Sequence, residues 1–316
     1  MKSALICGVA GQDGAYLSRL LLQKGYRVYG TSRDAQAGNF SNLQRLGVRE
    51  RVSLLSMAPE DIRSVFRAVK DTQPDEVYFL AGQSSVGLSF EQPTETIQSF
   101  TMGTLNVLEA CRMIDKPIRQ YHAGSSECFG DTVGMPATES TPFNPRSPYA
   151  IAKASAYWLV NNYREAYGLY ACTGILFNHE SPLRPHRYVT QKIVQAALRI
   201  AEGSVEKLTL GRMDISRDWG WAPDYVEAMW LMLQQQVPED YVIATGHTFS
   251  LEEFVATAFE LCQLDWRKHV VQDVSLFRPS DILINSADPG KAIRQLNWTA
   301  NLQGKSVVRA MLSEKE

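Results

Sequence analysis

Ala4-Leu5-Ile6-Cys7-Gly8-Val9-Ala10-Gly11-Gln12-Asp13-Gly14 sets a short apolar run directly against three glycines in a GxxGxxG spacing. A buried strand, a tight turn and a helix start account for this pattern. Glycines let the backbone turn sharply and approach a ligand closely, and the free N–H groups of a helix N-terminus attract a pyrophosphate. Alone, the motif also suits a strand–helix turn with no ligand. Its place at the first βα junction is the context that a dinucleotide fingerprint requires, and it nominates Gly8, Gly11, Gln12, Asp13 and Gly14 as cofactor contacts.

Outward from this turn, apolar runs alternate with helical patterns. Ala4–Cys7, Arg27–Ser32, Val52–Met57, Glu76–Ala81, Arg119–Ser125 and Tyr170–Phe177 read as strands, and Ala15–Lys24, Glu60–Lys70 and Thr104–Met113 as helices. Such alternation predicts an α/β fold, a doubly wound parallel Rossmann sheet covered on both faces, with ligands beyond the carboxyl ends of the strands. After about residue 177 the rhythm breaks. Helices are expected at Thr190–Glu202 and Asp224–Gln235, a late strand of the main sheet at Tyr241–Thr245, and a helix capped by Ser250. The expected division is 1–177 plus about 215–249 for the dinucleotide-binding domain, with about 178–214 plus 250–316 forming a smaller α/β lobe. At the end of the second strand, Arg33 precedes Asp34. An arginine there accommodates the 2′-phosphate of NADP and an acid favours NAD, so the pair is ambiguous, with a lean to NADP.

The composition narrows the class. A chain of 316 residues that is 45% apolar can build a substantial core, and a net charge of −2 gives no reason to expect nucleic acid or an anionic membrane as partner. Five scattered cysteines without a CxxC pair argue against a disulfide framework or zinc site and suit a reducing compartment. No apolar run approaches the roughly 18 residues of a membrane span, and Ala4–Cys7 is too short for a signal-peptide core. A cytoplasmic location with no metal follows as the expectation.

Tyr149-Ala150-Ile151-Ala152-Lys153 has a YxxxK spacing on a helix expected over Ser147–Gly168, with Ser147 as N-cap and Pro148 in the first turn. Residues four apart share a face, which brings the Lys153 ammonium beside the Tyr149 phenol. A free tyrosine has a pKa of about 10, and lowering it by about three units takes roughly 4 kcal/mol of differential interaction. Positive charge from Lys153 and an oxidised nicotinamide is expected to supply it, against desolvation. A phenolate so formed can take the proton of a sugar hydroxyl as hydride leaves the same carbon. The companion stretch Ala123-Gly124-Ser125-Ser126-Glu127, at the end of the fifth expected strand, places a hydroxyl near the same substrate oxygen.

These residues resemble an extended short-chain dehydrogenase/reductase, and within that group the chain is similar to the GDP-mannose 4,6-dehydratases over nearly its whole length. Phe177-Asn178-His179-Glu180-Ser181-Pro182, Arg217-Asp218-Trp219-Gly220 and Asp224–Trp230 carry the likeness most specifically. The resemblance implies Ser125, Glu127, Tyr149 and Lys153 as catalytic residues. Glu127 would select dehydration by removing the C5 proton once C4 is a ketone. Ala81, Gln83, Tyr149, Lys153, His179 and Arg184 are implied near an NADP (or NAD) cofactor, and Ser84, Ser126, Asn178, Lys192, Arg217, Arg278 and Asp281 near a GDP-sugar. The smaller lobe is then the nucleotide-sugar lobe, and a homodimer or homotetramer is expected. The chain departs from the family at Met57, Ser85, Glu95, Leu183 and Pro185, and Asp34–Gly47 is shorter than the usual loop. Ser85 and His186 leave room for another sugar on GDP, such as a manno-heptose. Reduction of a 4-keto-6-deoxy GDP-sugar and a non-catalytic cofactor sensor are the other readings.

Overall fold

The computed structural model describes residues 1–313. Its first half runs β1 (Ser3–Cys7), α1 (Gln12–Gln23), β2 (Arg27–Ser32), α2 (Ser41–Arg45), β3 (Val52–Ser56), α3 (Ile62–Thr72), β4 (Glu76–Phe79), α4 (Val86–Glu91), α5 (Pro93–Ile97), α6 (Gly103–Arg112), β5 (Arg119–Ala123), α7 (Pro148–Tyr167) and β6 (Ala171–Leu176). The second half continues with β7 (Asn178–Glu180), α8 (Val189–Ala201), β8 (Leu208–Leu210), β9 (Ser216–Trp221), α9 (Ala222–Met232), β10 (Tyr241–Ile243), β11 (Thr248–Ser250), α10 (Leu251–Leu261), β12 (Val270–Gln272), β13 (Ile284–Asn285), α11 (Gly290–Leu296) and α12 (Lys305–Ser313).

Seven strands form one parallel sheet in the order β10-β6-β5-β4-β1-β2-β3. The order reverses between β1 and β4, which opens a crevice at their carboxyl ends. Helices cover both faces, so the central strands are buried throughout and read as continuous apolar runs: Ala4 to Cys7 is fully buried. One face packs α1 and α9 around Leu17, Leu21, Tyr225 and Met229, and the other packs α3 and α6 around Val65, Val69 and Val107.

Local signals set the ends of the helix that matters most. In α7 the Ser147 side chain accepts from the Ala150 N–H at 3.1 Å, Pro148 occupies the first turn, and Gly168 closes the helix at φ +66°. Several strands end earlier than their apolar runs suggest: β4 stops at Phe79 and β5 at Ala123. Leu80 and Gly124 each keep one backbone bond to the neighbouring strand, to the Cys7 and Gly174 carbonyls, and both line the crevice. Similarly, α1 begins at Gln12, so the last glycine of the opening motif is already helical.

Past β6 the chain leaves the main sheet within two residues. β7 pairs with β9, which lies between β11 and β13 in a second small sheet, and β8 pairs with β12. A separate core of Trp219, Phe254, Phe259 and Val308 holds α8, α10 and α12 together. Ser250 and Glu253 form a reciprocal capping box at the start of α10. Asp224, buried in the first turn of α9, ties the C-terminal segment to this frame. Its carboxylate accepts from the N–H groups of Asn301 (2.8 Å) and Leu302 (3.2 Å) and the Asn301 amide (2.7 Å). Removing these charge-assisted bonds by Asp224→Ala is expected to cost about 2–4 kcal/mol in urea unfolding. A loss below about 1 kcal/mol would show that the segment is held otherwise.

Candidate active site

The crevice at the carboxyl ends of the main-sheet strands is a cleft of about 880 Å³, walled on its other side by the segments around β7, β9 and α8. Every residue nominated from the sequence lines it, from Gly8 in the first turn to Asp281 in the last loop. Met57, Ser85 and Glu95 line it as well, whereas Leu183 is buried in the main core and His186 lies away from the lining.

The glycine turn is shaped by contact. Gly8 has φ +88°, and a Cβ on it would meet the Ala81 Cα at 2.8 Å; a Cβ on Gly14 would sit 2.5 Å from the Gly8 carbonyl oxygen. The next two residues are committed to distant parts of the chain. Gln12 donates to the His179 carbonyl at 3.2 Å and accepts from the Ser181 hydroxyl at 2.7 Å. Asp13 pairs with His179 Nε2 at 2.9 Å, while His179 Nδ1 lies 2.7 Å from the Phe177 carbonyl. The imidazole also stacks on Tyr225, with ring centroids 4.6 Å apart. These bonds join the start of α1 to β7, so the turn and the first strand of the second sheet move as one.

Lys153 and Tyr149 stand one turn apart on α7, as their spacing predicts. The Lys153 Nζ donates to the Ala123 carbonyl at 2.7 Å and sits 4.0 Å over the Phe100 ring, whose edge meets Tyr149. Ser125 N-caps the short turn Ser126–Phe129, accepting from the Glu127 N–H at 3.3 Å, and its hydroxyl is near the Tyr149 phenol. Glu127 lines the same wall, within electrostatic reach of Tyr149 and Arg217.

Among the chain's own groups, desolvation decides the protonation state of Tyr149. Burial raises the Tyr149 phenol above its ordinary value; the Ser125 hydroxyl opposes this, and neighbouring Tyr188, Cys128 and Glu127 reinforce it. Burial also lowers Lys153 to about 8. The chain's own groups therefore hold a neutral phenol, because taking the phenolate out of water outweighs a single nearby ammonium.

The GDP-side candidates are arranged unevenly. Arg217 is buried in β9 and donates to the carbonyls of Ser216 (2.9 Å) and Leu283 (3.4 Å). Arg278 and Asp281 approach each other at 3.7 Å across one loop. Arg184 pairs with buried Glu180 at 3.3 Å and lies 3.9 Å over the Tyr188 ring. Sequence reasoning missed Tyr188. Its hydroxyl lies 2.7 Å from the Ser84 Oγ, bridging the loop after β4 to the segment before α8. No local pattern marks it, since the partners are 104 positions apart.

The His179–Asp13 pair gives a pH signature. Burial disfavours the imidazolium, yet the Asp13 charge and hydrogen bond outweigh it and raise His179 above its ordinary value. Asp13 is held low in turn: burial opposes its charge, and His179 more than compensates. The histidine's contribution to stability is complete below the unfolded pKa of about 6.5 and is lost as pH rises through the higher folded value; that of Asp13 is lost only as pH falls through its depressed value. The stability gap between wild type and Asp13→Asn should therefore narrow as pH rises through the window above about 6.5. A gap that stays constant over that window would contradict the pairing.

The family model and the full-length relatives agree on a family. The family model for GDP-mannose 4,6 dehydratase matches residues 5–311. GDP-mannose 4,6 dehydratase 1 of Arabidopsis thaliana is 47% identical, with 99% of this chain and 89% of the relative covered. The GDP-mannose 4,6-dehydratase of Vibrio cholerae is 42% identical, with 99% and 93% covered. Among solved structures, the UDP-glucose 4-epimerase of Thermus thermophilus in complex with NAD has a TM-score of 0.86 at 24% identity, covering 98% of this chain and 97% of its own. RMD from Pseudomonas aeruginosa complexed with NADPH has a TM-score of 0.81 at 22% identity, covering 99% and 98%. The structures establish a shared fold, and the family model with its full-length relatives establishes more: this chain is an enzyme of the lyase class and belongs to the GDP-mannose 4,6-dehydratase family.

Proposed function

We propose that this cleft converts GDP-mannose to GDP-4-keto-6-deoxymannose, with Ser125, Glu127, Tyr149 and Lys153 carrying the chemistry. The observation that carries the reading is Glu127, an acid on the same wall as the tyrosine–lysine pair, in a chain whose full-length relatives are GDP-mannose dehydratases. A pure binder needs no such combination.

The residues present fit a nicotinamide dinucleotide. Gly8 and Gly14 leave no room for side chains, and Gly11 has only the Gly8 carbonyl near it, so backbone N–H groups can face a pyrophosphate. Ala10, Met57, Pro59 and Ala81 offer an apolar surface to an adenine. Arg33 lines the cleft, while Asp34 is turned into its own loop, accepting from the N–H groups of Gln36 (2.8 Å) and Ala37 (2.9 Å). That arrangement supports NADP, with Arg33 against its 2′-phosphate. When bound, a nicotinamide takes a hydride from the sugar and later returns it, which makes the reaction redox-neutral.

With a further positive charge in the cleft beside Lys153, the Tyr149 phenol would give its proton to solvent, and the phenolate, with Ser125 beside it, would take the proton of the C4 hydroxyl. A C4 ketone acidifies C5–H. Glu127 removes this proton and hands one to the departing C6 hydroxyl, which leaves as water; return of the hydride to C6 is then balanced by a proton delivered to C5. Arg217, Lys192, Arg278, Asp281 and Asn178 hold the GDP portion, and Ser84 and Ser126 the sugar. Residues 178–214 with 250–313 would then be the nucleotide-sugar lobe. We place a subunit contact on the exposed face of α7, where Ile151 and Trp158 stand seven residues apart. No helix of the described residues is long and apolar enough to cross a membrane, and all five cysteines are free, which suits a reducing cytoplasm.

Purified protein given GDP-mannose and no reductant should form the 4-keto-6-deoxy product. Stoichiometric consumption of reduced cofactor on a 4-keto substrate would point to a reductase instead. Glu127→Gln should still oxidise C4 on binding, seen as reduced-nicotinamide absorbance, while product release falls by about 10²–10⁴-fold. Full turnover by this variant would remove Glu127 from its assigned role.

A further inference from the structure

Arg33 does not stand free at the adenosine end of the cleft. Its Nε lies 3.7 Å from a Glu60 carboxylate oxygen and its Nη2 lies 3.5 Å from Glu95, with all three side chains exposed. Glu95 itself lines the cleft, and Glu60 flanks the arginine from the start of the turn before α3. Both ion-pair partners of this guanidinium are acids, one cation against two anions.

We propose that Glu60 and Glu95 set the cofactor preference of this chain, by holding Arg33 in a charge balance that an adenosine 2′-phosphate must displace. This rests on the reading that the cleft holds a nicotinamide dinucleotide with its adenosine end at Arg33. The planar guanidinium fork suits a phosphate better than two separate carboxylates at 3.5–3.7 Å. Exposed ion pairs of that length are weak, so the phosphate can replace them. The phosphate then lies among two like charges within a Debye length of about 8 Å, and that repulsion reduces what Arg33 contributes.

NAD meets the opposite situation. Its 2′-hydroxyl carries no charge to repel, and Glu95 can accept a hydrogen bond from it, which is the role an acid plays in NAD-type sites. Arg33 thus recognises one dinucleotide and Glu95 the other. The chain retains a preference for NADP that is narrow, with both forms binding.

Dissociation constants for NADPH and NADH, measured by calorimetry on the full chain freed of carried-over nucleotide, test this without relying on turnover. Wild type should bind both, with NADPH favoured by less than about tenfold. Glu95→Gln should raise the NADPH-to-NADH preference about two- to fivefold, and Glu60→Gln should shift it the same way through NADPH alone. Arg33→Ala should weaken NADPH and leave NADH within about twofold. All three sites are exposed, and unchanged thermal unfolding of the variants would confirm intact folding. A wild-type preference well beyond tenfold, or glutamate variants that leave the ratio unmoved, overturns the proposal. If wild type binds neither dinucleotide, the reading of the cleft beneath it fails as well; a response of NADPH to Arg33→Ala alone would keep that reading and sink only this one.

Discussion

The hydrogen bond from the Lys153 ammonium to the Ala123 carbonyl, 2.7 Å long, is the contact on which the proposed chemistry depends. It pins the second turn of α7 to the carboxyl end of β5. Residues that emerge from β5, Ser125 and Glu127, are thereby set opposite Tyr149. The same bond has a cost. An ammonium taken out of water is disfavoured, which is why Lys153 is lowered to about 8, and a phenolate beside it is disfavoured for the same reason. Lys153 still carries its charge at neutral pH, while the phenol beside it stays protonated. A positive charge arriving in the cleft is what would tip the phenol, since the protein's own groups leave it neutral.

A second constraint keeps the cleft in one piece. The chain passes from β6 to β7 in two residues, so the wall that carries His179 and Glu180 grows directly out of the main sheet. Asp13 and Gln12 then bind that wall to the start of α1. The glycine turn cannot shift without disturbing the second sheet. A redox-neutral reaction, in which hydride leaves and returns, benefits from walls held this way, because the intermediate must stay in register between the two transfers.

Much of this was legible in the sequence because it rests on local chemistry. Three glycines after an apolar run mark the phosphate turn, and Ser147, Pro148 and Gly168 bracket α7 by capping rules alone. Spacing put Lys153 on the face of Tyr149. The role of Glu127, in contrast, came from family resemblance; its position on the cleft wall is compatible with that role and does not derive it. Other features depend on partners far along the chain. Asp13, nominated as a cofactor contact, lines the cleft, and its carboxylate is also engaged by His179, 166 positions away, which no local pattern shows. The rise of the Tyr149 phenol depends on burial that no spacing records. The second sheet is built from strands of two to six residues, too short for a period to show. Arg33 and Asp34 were ambiguous as neighbours and separate in space, one lining the cleft and the other closing its own loop.

If one cleft holds one sugar through oxidation at C4 and restoration at C6, the hydride taken from a sugar must return to that same sugar. A crossover experiment tests this, with GDP-mannose deuterated at C4 mixed with undeuterated GDP-mannose labelled with carbon-13. Product should carry deuterium at C6 only in molecules lacking carbon-13. Deuterium appearing in the carbon-13 product, or lost to solvent, would contradict it.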